Sequence, residues 1–381
     1  MTDPVWFWQR IVSPHMAGLA SAVAARGRSV VYVAEQPMSA DRAAQGWKAA
    51  DVGKAELRLA PDAASVQALV RAAPGNSVHI CQGFRANGLV GIARDQLAER
   101  GLRQWVVMER VEDRGGPLAW ARRLEYRRQI RAWRGRIEGV LATGHATRGW
   151  LAARGMPPER IRPFAYFLPD AQHRRGESDS LTPSAPFRVL FAGQFIARKR
   201  LDLLIDALSA IADPSSFELV VMGSGPLEDD LRVRAATRLP GRVQWLGKQA
   251  HDQIPALMAS ADLLVLPSRH DGWGAVVSEA LMAGIPAVCS DACGSAEVVR
   301  ASGVGGVFRS GARRDLSRAL AQEIVKGRPT LEQRDALADW ARALGAEEGA
   351  DYLINILDDP KTSVPPPWLR QQADRRMTHY R

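Results

Sequence analysis

Cysteine, long apolar runs and metal-binding motifs are scarce in this sequence of 381 residues. Three cysteines, Cys81, Cys289 and Cys293, are too few for a disulfide framework, and the C-x3-C spacing of the last two fits neither a zinc knuckle nor a redox pair, so we expect free thiols. No stretch reaches the roughly 18 consecutive apolar residues of a membrane span, and the opening MTDPVWFWQR lacks a signal-peptide pattern. These absences predict a cytoplasmic protein without a bound metal.

Positive charge is concentrated in the first half of the chain. Residues 1–170 hold 25 Lys and Arg against 15 Asp and Glu, whereas the remaining residues hold 26 of each. Much of the excess lies in RGGPLAWARRLEYRRQIRAWRGR, residues 114–136, where aromatic and aliphatic residues alternate with eight arginines. Such a helix suits an anionic membrane surface or ligand; alternatively, it buries its aromatics while its arginines face water. Nucleic acid is not predicted as a partner, because no recognised binding motif accompanies the charge.

Short apolar segments bounded by Gly, Pro or Ser alternate with segments of helical spacing. The strand candidates are SVVYVAE, SVHIC, QWVVME, GVLATG and IRPFAYF in the first half, and FRVLFAG, FELVVMG, RVQWLG, DLLVLPS and PAVCS in the second. This alternation predicts parallel sheets with helices on both faces. We therefore predict an α/β protein of two doubly wound, Rossmann-like domains that face each other across a cleft.

The predicted domain boundaries follow from composition. Residues 1–170 form the first domain, and the polar, proline-bearing residues 171–186 form a linker. The second domain covers residues 187–357, and residues 358–381 form a basic tail.

Several polar residues follow the predicted strands of the second half. Arg198 and Lys199 precede a helix whose start could bind phosphate, although they could equally be a solvated first turn. In SRHDGWGAVVSEALMAGIPAV, Asp271 lies in the loop and Glu279 about one turn into the next helix, where a carboxylate can accept hydrogen bonds from vicinal hydroxyls. Taken singly, Asp271 could be a helix cap and Glu279 an ordinary helix acid. Together with the surrounding glycines, whose backbone N–H groups suit a diphosphate or sugar oxygens, they predict a ligand site that includes a ribose.

These motifs resemble one known family. The ordered segments FAGQFIARKRLDLLIDAL, VMGSGPLEDDL, VQWLG and PSRHDGWGAVVSEALMAGIPAVCSDACGSAEVV are similar to the retaining, family-four glycosyltransferases of the GT-B fold, also called group 1. The resemblance implies that Lys199 neutralises the donor diphosphate, that Asp271 contacts the donor sugar and that Glu279 holds the ribose. It places the wider donor site at Gly193, Gln194, Arg198, Gly223, Gly225, Lys248, Gly272, Trp273, Gly274 and Ala275.

The chain departs from the family pattern on the sugar and acceptor side. Asp271 replaces the more usual Glu, and Gln194 stands where an arginine is frequent. A glycine pair after the first strand is replaced by SPHM, which makes His15 a candidate acceptor-side residue, although a structural role fits it as well. Glu109 and Arg110 stand where many members have a cleft histidine, and they complete the acceptor-side candidates.

The resemblance implies a hexosyltransferase-type enzyme that moves a sugar from a nucleotide donor to a lipid-linked or cell-surface glycan with retention of configuration. No metal or other cofactor is expected, and the protein would act in polysaccharide or cell-envelope biosynthesis, peripherally on the inner face of the membrane. Two alternatives remain: a catalytically weak scaffold that binds nucleotide sugars in a glycan-assembly complex, and a nucleotide-sugar epimerase.

Overall fold

The computed structural model describes residues 2–38, 50–85, 87–112, 118–169, 186–211, 213, 216–250 and 253–370. Contacts divide these residues into two compact units: residues 2–169 with 344–370, and residues 186–343. The predicted linker, apart from Pro186, and residues 371–381 of the predicted tail lie outside the described residues.

The first unit is built on a parallel sheet. Its strands are β1 (Val5–Ile11), β2 (Val30–Gln36), β3 (Glu56–Leu59), β4 (Val78–Gln82), β5 (Arg103–Glu109), β6 (Gly139–Thr143) and β7 (Ile161–Phe164). They lie in the order β3-β2-β1-β4-β5-β6-β7, so the direction of connection reverses between β1 and β4. The central strands read as nearly continuous apolar runs, as is typical of a parallel sheet covered on both faces, whereas the edge strand β3 is largely exposed.

Helices of this unit flank the sheet. They are α1 (Pro14–Ala25), α2 (Ala63–Ala72), α3 (Val90–Glu99), α4 (Ala119–Trp133), α5 (His145–Ala152) and, from the far end of the chain, α13 (Ala346–Asp358). Helix α4 is the described part of the arginine-rich segment. Its Tyr126, Ile130 and Trp133 are buried in the core, whereas Trp120 and Leu124 are exposed.

The second unit repeats the architecture. Its strands are β8 (Phe187–Ala192), β9 (Phe217–Met222), β10 (Val243–Gly247), β11 (Leu263–Leu266), β12 (Ala287–Ser290) and β13 (Gly306–Phe308), in the order β10-β9-β8-β11-β12-β13. Its helices are α6 (Leu201–Leu208), α7 (Glu228–Arg238), α8 (Ile254–Ala259), α9 (Ala275–Met282), α10 (Ala296–Ser302), α11 (Arg313–Lys326) and α12 (Leu331–Ala341). The reversal here lies between β8 and β11.

Each predicted strand is present, and the structure adds β1, β3 and β13. The boundary predicted at residue 357 differs from the observed division, because residues 344–370 pack with the first unit. Arg26, directly after α1, forms ion pairs with Glu347, at 2.6 Å, and with Asp351 on α13. The backbone of Leu168 completes the attachment by donating to the Leu344 carbonyl at 3.0 Å.

Close packing of α13 generates a stability prediction. A Cβ atom on Gly349 would lie 2.3 Å from Phe167 Cγ, so Gly349→Ala should destabilise the protein by about 1–3 kcal/mol through overpacking. In the control Gly149→Ala, the new methyl group enters open space on α5 and should stabilise by about 0.5–1 kcal/mol. Urea unfolding followed by tryptophan fluorescence measures both changes. Equal midpoints for Gly349→Ala and wild type would contradict this packing.

Candidate functional site

The candidate site of the second unit lies where its sheet reverses direction. β8 and β11 are neighbours, and the chain leaves them at Gly193 and Ser268. Because the connections run to opposite sides, the loops after the two strands diverge and leave a crevice at the carboxyl ends. Arg198 and Lys199 lie after β8 and Asp271 lies after β11, so the topology brings together residues that are 72 positions apart.

One carboxylate joins the two loops. Lys199 Nζ lies 2.5 Å from one oxygen of Asp271, and an Arg198 guanidinium nitrogen lies 3.5 Å from the other. The side chains of Lys199 and Asp271 are only 14% and 13% exposed. Arg198 also donates to the His270 carbonyl at 2.8 Å. Asp271 is therefore a member of a part-buried charge cluster at the switch point, and it is not the cap of α9, which is Gly274.

The backbone around Asp271 is held by the loop that follows β12. Asp271 N–H donates to the Ala292 carbonyl at 3.2 Å, and its own carbonyl accepts from Gly294 N–H at 3.0 Å. The Trp273 carbonyl accepts from Ser295 N–H at 2.8 Å. The carboxylate therefore projects from a loop that is fixed on both sides.

Trp273 anchors this loop with its side chain. The indole is fully buried and donates to Ser278 Oγ at 3.0 Å, so any donor contact of this residue must use its backbone. Gly274 follows with a φ of 88°, a left-handed conformation that favours glycine. A Cβ there would lie 2.7 Å from a methyl group of Leu266. The GWG sequence thus turns the chain from the loop into α9, whose first residue is Ala275.

Gly223 and Gly225 allow the loops after β8 and β9 to pack backbone against backbone. A Cβ on Gly223 would lie 1.9 Å from the Gly193 carbonyl oxygen, and one on Gly225 would lie 2.6 Å from the Phe195 carbonyl oxygen. The sequence analysis assigns these glycines to the approach of a ligand. In the structure their close neighbours are the protein's own backbone atoms.

Glu279 lies in the second turn of α9 and is partly buried. Desolvation raises its pKa to about 7. At neutral pH the carboxyl group is therefore poised between its protonated and ionised forms, and both can hydrogen-bond to a hydroxyl group. A strongly raised pKa beside a candidate site is typical of functional residues.

The other predicted donor residues are more peripheral. Gly272 lies beside Asp271 in the same loop. Gln194 and Lys248 are exposed, and Lys248 follows β10, the edge strand two positions from β8. The structure therefore assembles Arg198, Lys199 and Asp271, while it leaves Lys248 at the sheet edge.

The first unit has a cavity of about 270 Å³ at the equivalent reversal of its own sheet. It lies at the carboxyl ends of β1, β4, β5 and β6, and its polar lining residues are Gln9, Ser13, His15, Gln82, Arg85, Asn87, Glu109, Thr143 and Tyr166. The cavity can therefore receive a polar ring with apolar surfaces, because Phe84, Met108 and Tyr126 also line it.

Tyr166 connects two of the predicted acceptor-side residues. Its ring stacks on His15 with centroids 4.0 Å apart, and its hydroxyl donates to the Glu109 carboxylate. Arg110 is not among the described residues that line the cavity, and its backbone N–H donates to Thr147 Oγ1 at 2.9 Å. Sequence analysis missed Tyr166, because it included this residue in the predicted strand IRPFAYF, whereas the observed β7 ends at Phe164 and leaves Tyr166 at the strand end.

Two buried polar atoms of the cavity lining lack hydrogen-bond partners within the described chain. They are Nε2 of Gln9, a donor, and Oγ1 of Thr143, whose residues are 4% and 0% exposed. Buried polar groups are normally satisfied. A ligand with several hydroxyl groups could pair with both atoms. Sequence analysis missed Gln9, which lies near the end of β1.

The described residues lack both a metal-binding cluster and a membrane-spanning helix. No group of three or more His, Cys, Asp and Glu side chains could hold a metal ion there. No helix in that part of the chain is long and apolar enough to cross a membrane.

Comparisons with known proteins point in one direction. Residues 175–343 match the family model described as Glycosyl transferases group 1. The chain is 26% identical over 272 residues to an alpha-D-kanosaminyltransferase of Streptomyces kanamyceticus, covering 68% of this chain and 65% of that protein. It is 29% identical over 234 residues to a phosphatidyl-myo-inositol mannosyltransferase of Mycobacterium leprae, covering 58% and 57% respectively. The matched stretches thus span less than two thirds of each relative's length.

Solved structures show the same fold. The chain matches Anabaena HepE in complex with UDP at a TM-score of 0.70 and 18% identity, over 93% of this chain and 99% of that one. It also matches WaaG, a glycosyltransferase involved in lipopolysaccharide biosynthesis, at a TM-score of 0.61 and 18% identity. The predicted fold class of two doubly wound, Rossmann-like domains is confirmed.

The raised pKa of Glu279 predicts a pH-dependent stability. Because its folded pKa of about 7 exceeds the usual 4.5, this residue's contribution is most favourable below pH 4.5 and is lost as the pH rises toward 7. Glu279→Gln should therefore stabilise the protein relative to wild type at pH 8, by about 1–3 kcal/mol, and much less at pH 5. Thermal unfolding at the two pH values measures this difference. Glu332→Gln, at an exposed position on α12, is the control, and the same shift in both variants would contradict the assignment.

Proposed function

We propose that this chain, whose residues 175–343 match the model of the group 1 glycosyltransferases, transfers a sugar from a nucleotide-sugar donor to an acceptor hydroxyl group. The cluster of Lys199, Arg198 and Asp271 at the switch point of the second sheet carries the proposal. Its position fits the general rule for ligand sites in doubly wound sheets. The likeness to HepE, whose structure contains UDP, supports a nucleoside diphosphate as the group bound there.

Positive charge near the diphosphate supplies the main catalytic effect. When the sugar leaves, negative charge grows on the leaving phosphate oxygen, and a cation fixed nearby stabilises the transition state. Lys199 is fixed by its ion pair with Asp271, so it is oriented before the donor arrives. The same pairing gives Asp271 a second role besides sugar contact, since its carboxylate balances the cation in the free protein.

Glu279 is the proposed ribose ligand. It lies on the helix that begins directly after the Asp271 loop, and desolvation raises its pKa to about 7. An ionised carboxylate accepts hydrogen bonds from two vicinal hydroxyls more strongly than a neutral group does. Because the carboxylate is desolvated, the hydroxyl groups of the ligand would supply the hydrogen bonds that water does not.

The cavity of the first unit is the proposed acceptor site. Gln9 and Thr143 offer buried unpaired polar atoms, while His15, Tyr166 and Glu109 form a connected polar wall. This lining favours a polyhydroxylated ring. The likeness to a phosphatidyl-myo-inositol mannosyltransferase supports a lipid-linked acceptor.

The remaining features of the proposal follow the family resemblance. We propose a hexosyltransferase-type reaction with retention of the anomeric configuration and without a metal ion. We further propose that the protein acts in polysaccharide or cell-envelope biosynthesis, from the cytoplasm at the inner face of the membrane. The donor base and sugar are left to the following experiments.

Nucleotide binding is the first test. Thermal shifts with UDP, GDP, ADP and dTDP and their common sugar conjugates, without metal, should identify one nucleoside diphosphate that raises the melting temperature. Glu279→Ala should weaken binding of that nucleotide by roughly 1.5–3 kcal/mol, because charged hydrogen bonds to the ribose are lost. Calorimetry gives the dissociation constant, and an unchanged value would exclude the ribose role. Glu332→Ala is the matched control.

Turnover is the second test. Lys199→Ala should raise the activation free energy by about 2–4 kcal/mol and so lower kcat, by analogy with the loss of an oxyanion donor. Lys326→Ala removes an exposed lysine of α11 and should leave kcat unchanged. Release of nucleoside diphosphate with a panel of lipid acceptors measures the rate.

The outcomes separate the alternatives. Nucleotide binding without turnover on any acceptor would favour the scaffold. Release of UDP from a sugar nucleotide without any acceptor, with formation of an epimeric sugar, would favour the epimerase. Equal rates for Lys199→Ala and wild type would contradict the proposed role of the lysine.

A further inference from the structure

Helix α4 has one face packed firmly into the first unit. Tyr126, Ile130 and Trp133 are buried, and they lie at helical spacings of four and three residues. The Trp133 ring is covered by the Arg94 guanidinium, 4.0 Å from its centroid, and Tyr126 packs edge-on against Trp150 at 5.1 Å. This face explains part of the aromatic content of the segment and fixes the orientation of the helix.

The opposite face exposes large apolar side chains. Trp120 and Leu124, four residues apart, are 67% and 58% exposed, and Leu118, which precedes the first turn, is 68% exposed. Singly exposed apolar residues are common in proteins, but a tryptophan and two leucines grouped at one helix end are not explained by the core.

The same face continues as a basic surface. Arg127, Arg128 and Arg131 follow Trp120 and Leu124 at intervals that keep all five within about 100° around the helix axis. All three arginines are exposed. Glu125 is the one acidic residue of the helix, and the same helical spacing places it outside this stripe. Its carboxylate accepts a hydrogen bond from Gln129 at 3.1 Å. We call Leu118, Trp120, Leu124, Arg127, Arg128 and Arg131 the α4 ridge.

We propose that the α4 ridge docks the protein on an anionic lipid bilayer. Indole rings favour the headgroup region, where the ring is half buried and its N–H remains hydrated, and leucine reaches the acyl boundary. Arginines beside them attract the negative surface potential of anionic lipids. The apolar end of the ridge inserts while the basic end lies along the headgroups.

Charge and shape together favour a bilayer over other occupants. An acidic protein or a nucleic acid would use the arginines, but it would not need the bare Leu118 and Leu124. The inference does not depend on the transfer reaction. It does connect to the proposed acceptor site, because Tyr126 on the inner face of the same helix lines the cavity.

Vesicle binding tests the proposal with the full-length protein. It should co-sediment with vesicles of phosphatidylglycerol and phosphatidylcholine, less so with phosphatidylcholine alone, and dissociate as salt rises. The triple variant Arg127→Gln, Arg128→Gln, Arg131→Gln should lower the partition coefficient about 100-fold. Trp120→Ser with Leu124→Ser should lower it roughly 10- to 100-fold.

Matched controls lie on α11 of the other unit. Arg313→Gln, Arg314→Gln, Arg318→Gln removes three exposed arginines and the same net charge, and Val325→Ser removes an exposed apolar side chain. Both should bind vesicles as wild type does. If the α11 triple variant loses as much vesicle binding as the α4 triple variant, the protein binds anionic vesicles through its net charge, and the ridge is not the docking surface.

Insertion of Trp120 is measured separately. Vesicles that contain brominated phosphatidylcholine should quench part of the wild-type tryptophan fluorescence, and Trp120→Phe should abolish that quenched component. Unchanged quenching in Trp120→Phe, or no vesicle binding by the wild type at low salt, would overturn the proposal. Nucleotide-induced thermal shifts should be the same in all ridge variants, so failure of docking is distinguishable from failure of the proposed transferase function.

Discussion

The ion pair between Lys199 and Asp271 is the interaction on which the candidate donor site depends. It forms because the connections after β8 and β11 leave their sheet in opposite directions, which brings two distant loops to one point. A part-buried charge left without its partner would cost far more than the pair itself contributes. The surrounding structure accordingly fixes the carboxylate from the other side: backbone hydrogen bonds hold Asp271, and the buried Trp273 indole anchors the turn into α9.

Glu279 is in the opposite situation to Asp271, because the fold disfavours the ionised form of its carboxyl group, which the proposed ligand requires. Desolvation raises its pKa to about 7, so a carboxylate near the site is costly in the free protein at neutral pH. Ribose hydroxyls would replace the hydration that burial removes. A site that is destabilising when empty and satisfied when filled is the usual form of the conflict between stability and function. The unpaired Nε2 of Gln9 and Oγ1 of Thr143 pose the same conflict in the first unit.

Sequence reasoning was most successful where secondary structure follows from local spacing. Apolar runs bounded by glycine identified ten strands, and the strand-end rule placed Lys199, Asp271 and Glu279 in the right loops and helix. It could not show that Lys199 and Asp271 pair with each other, because that contact depends on strand order. It assigned Trp273 to the donor site through its backbone amide, and the side chain packs inside. The attachment of residues 344–370 to the first unit rests on long-range contacts such as Arg26 with Glu347, which no periodicity reports.

Helix α4 shows why composition alone left two explanations open. The sequence offered a core helix with solvated arginines or an interfacial helix with aromatic anchors, and each describes one side of the same element. Trp133 and Trp120 differ in residue number by 13, which at 3.6 residues per turn places them on different faces. One is covered by the Arg94 guanidinium and the other is bare. The helical period, and not the residue type, therefore decides which aromatic side chain supports the fold and which is available to a partner.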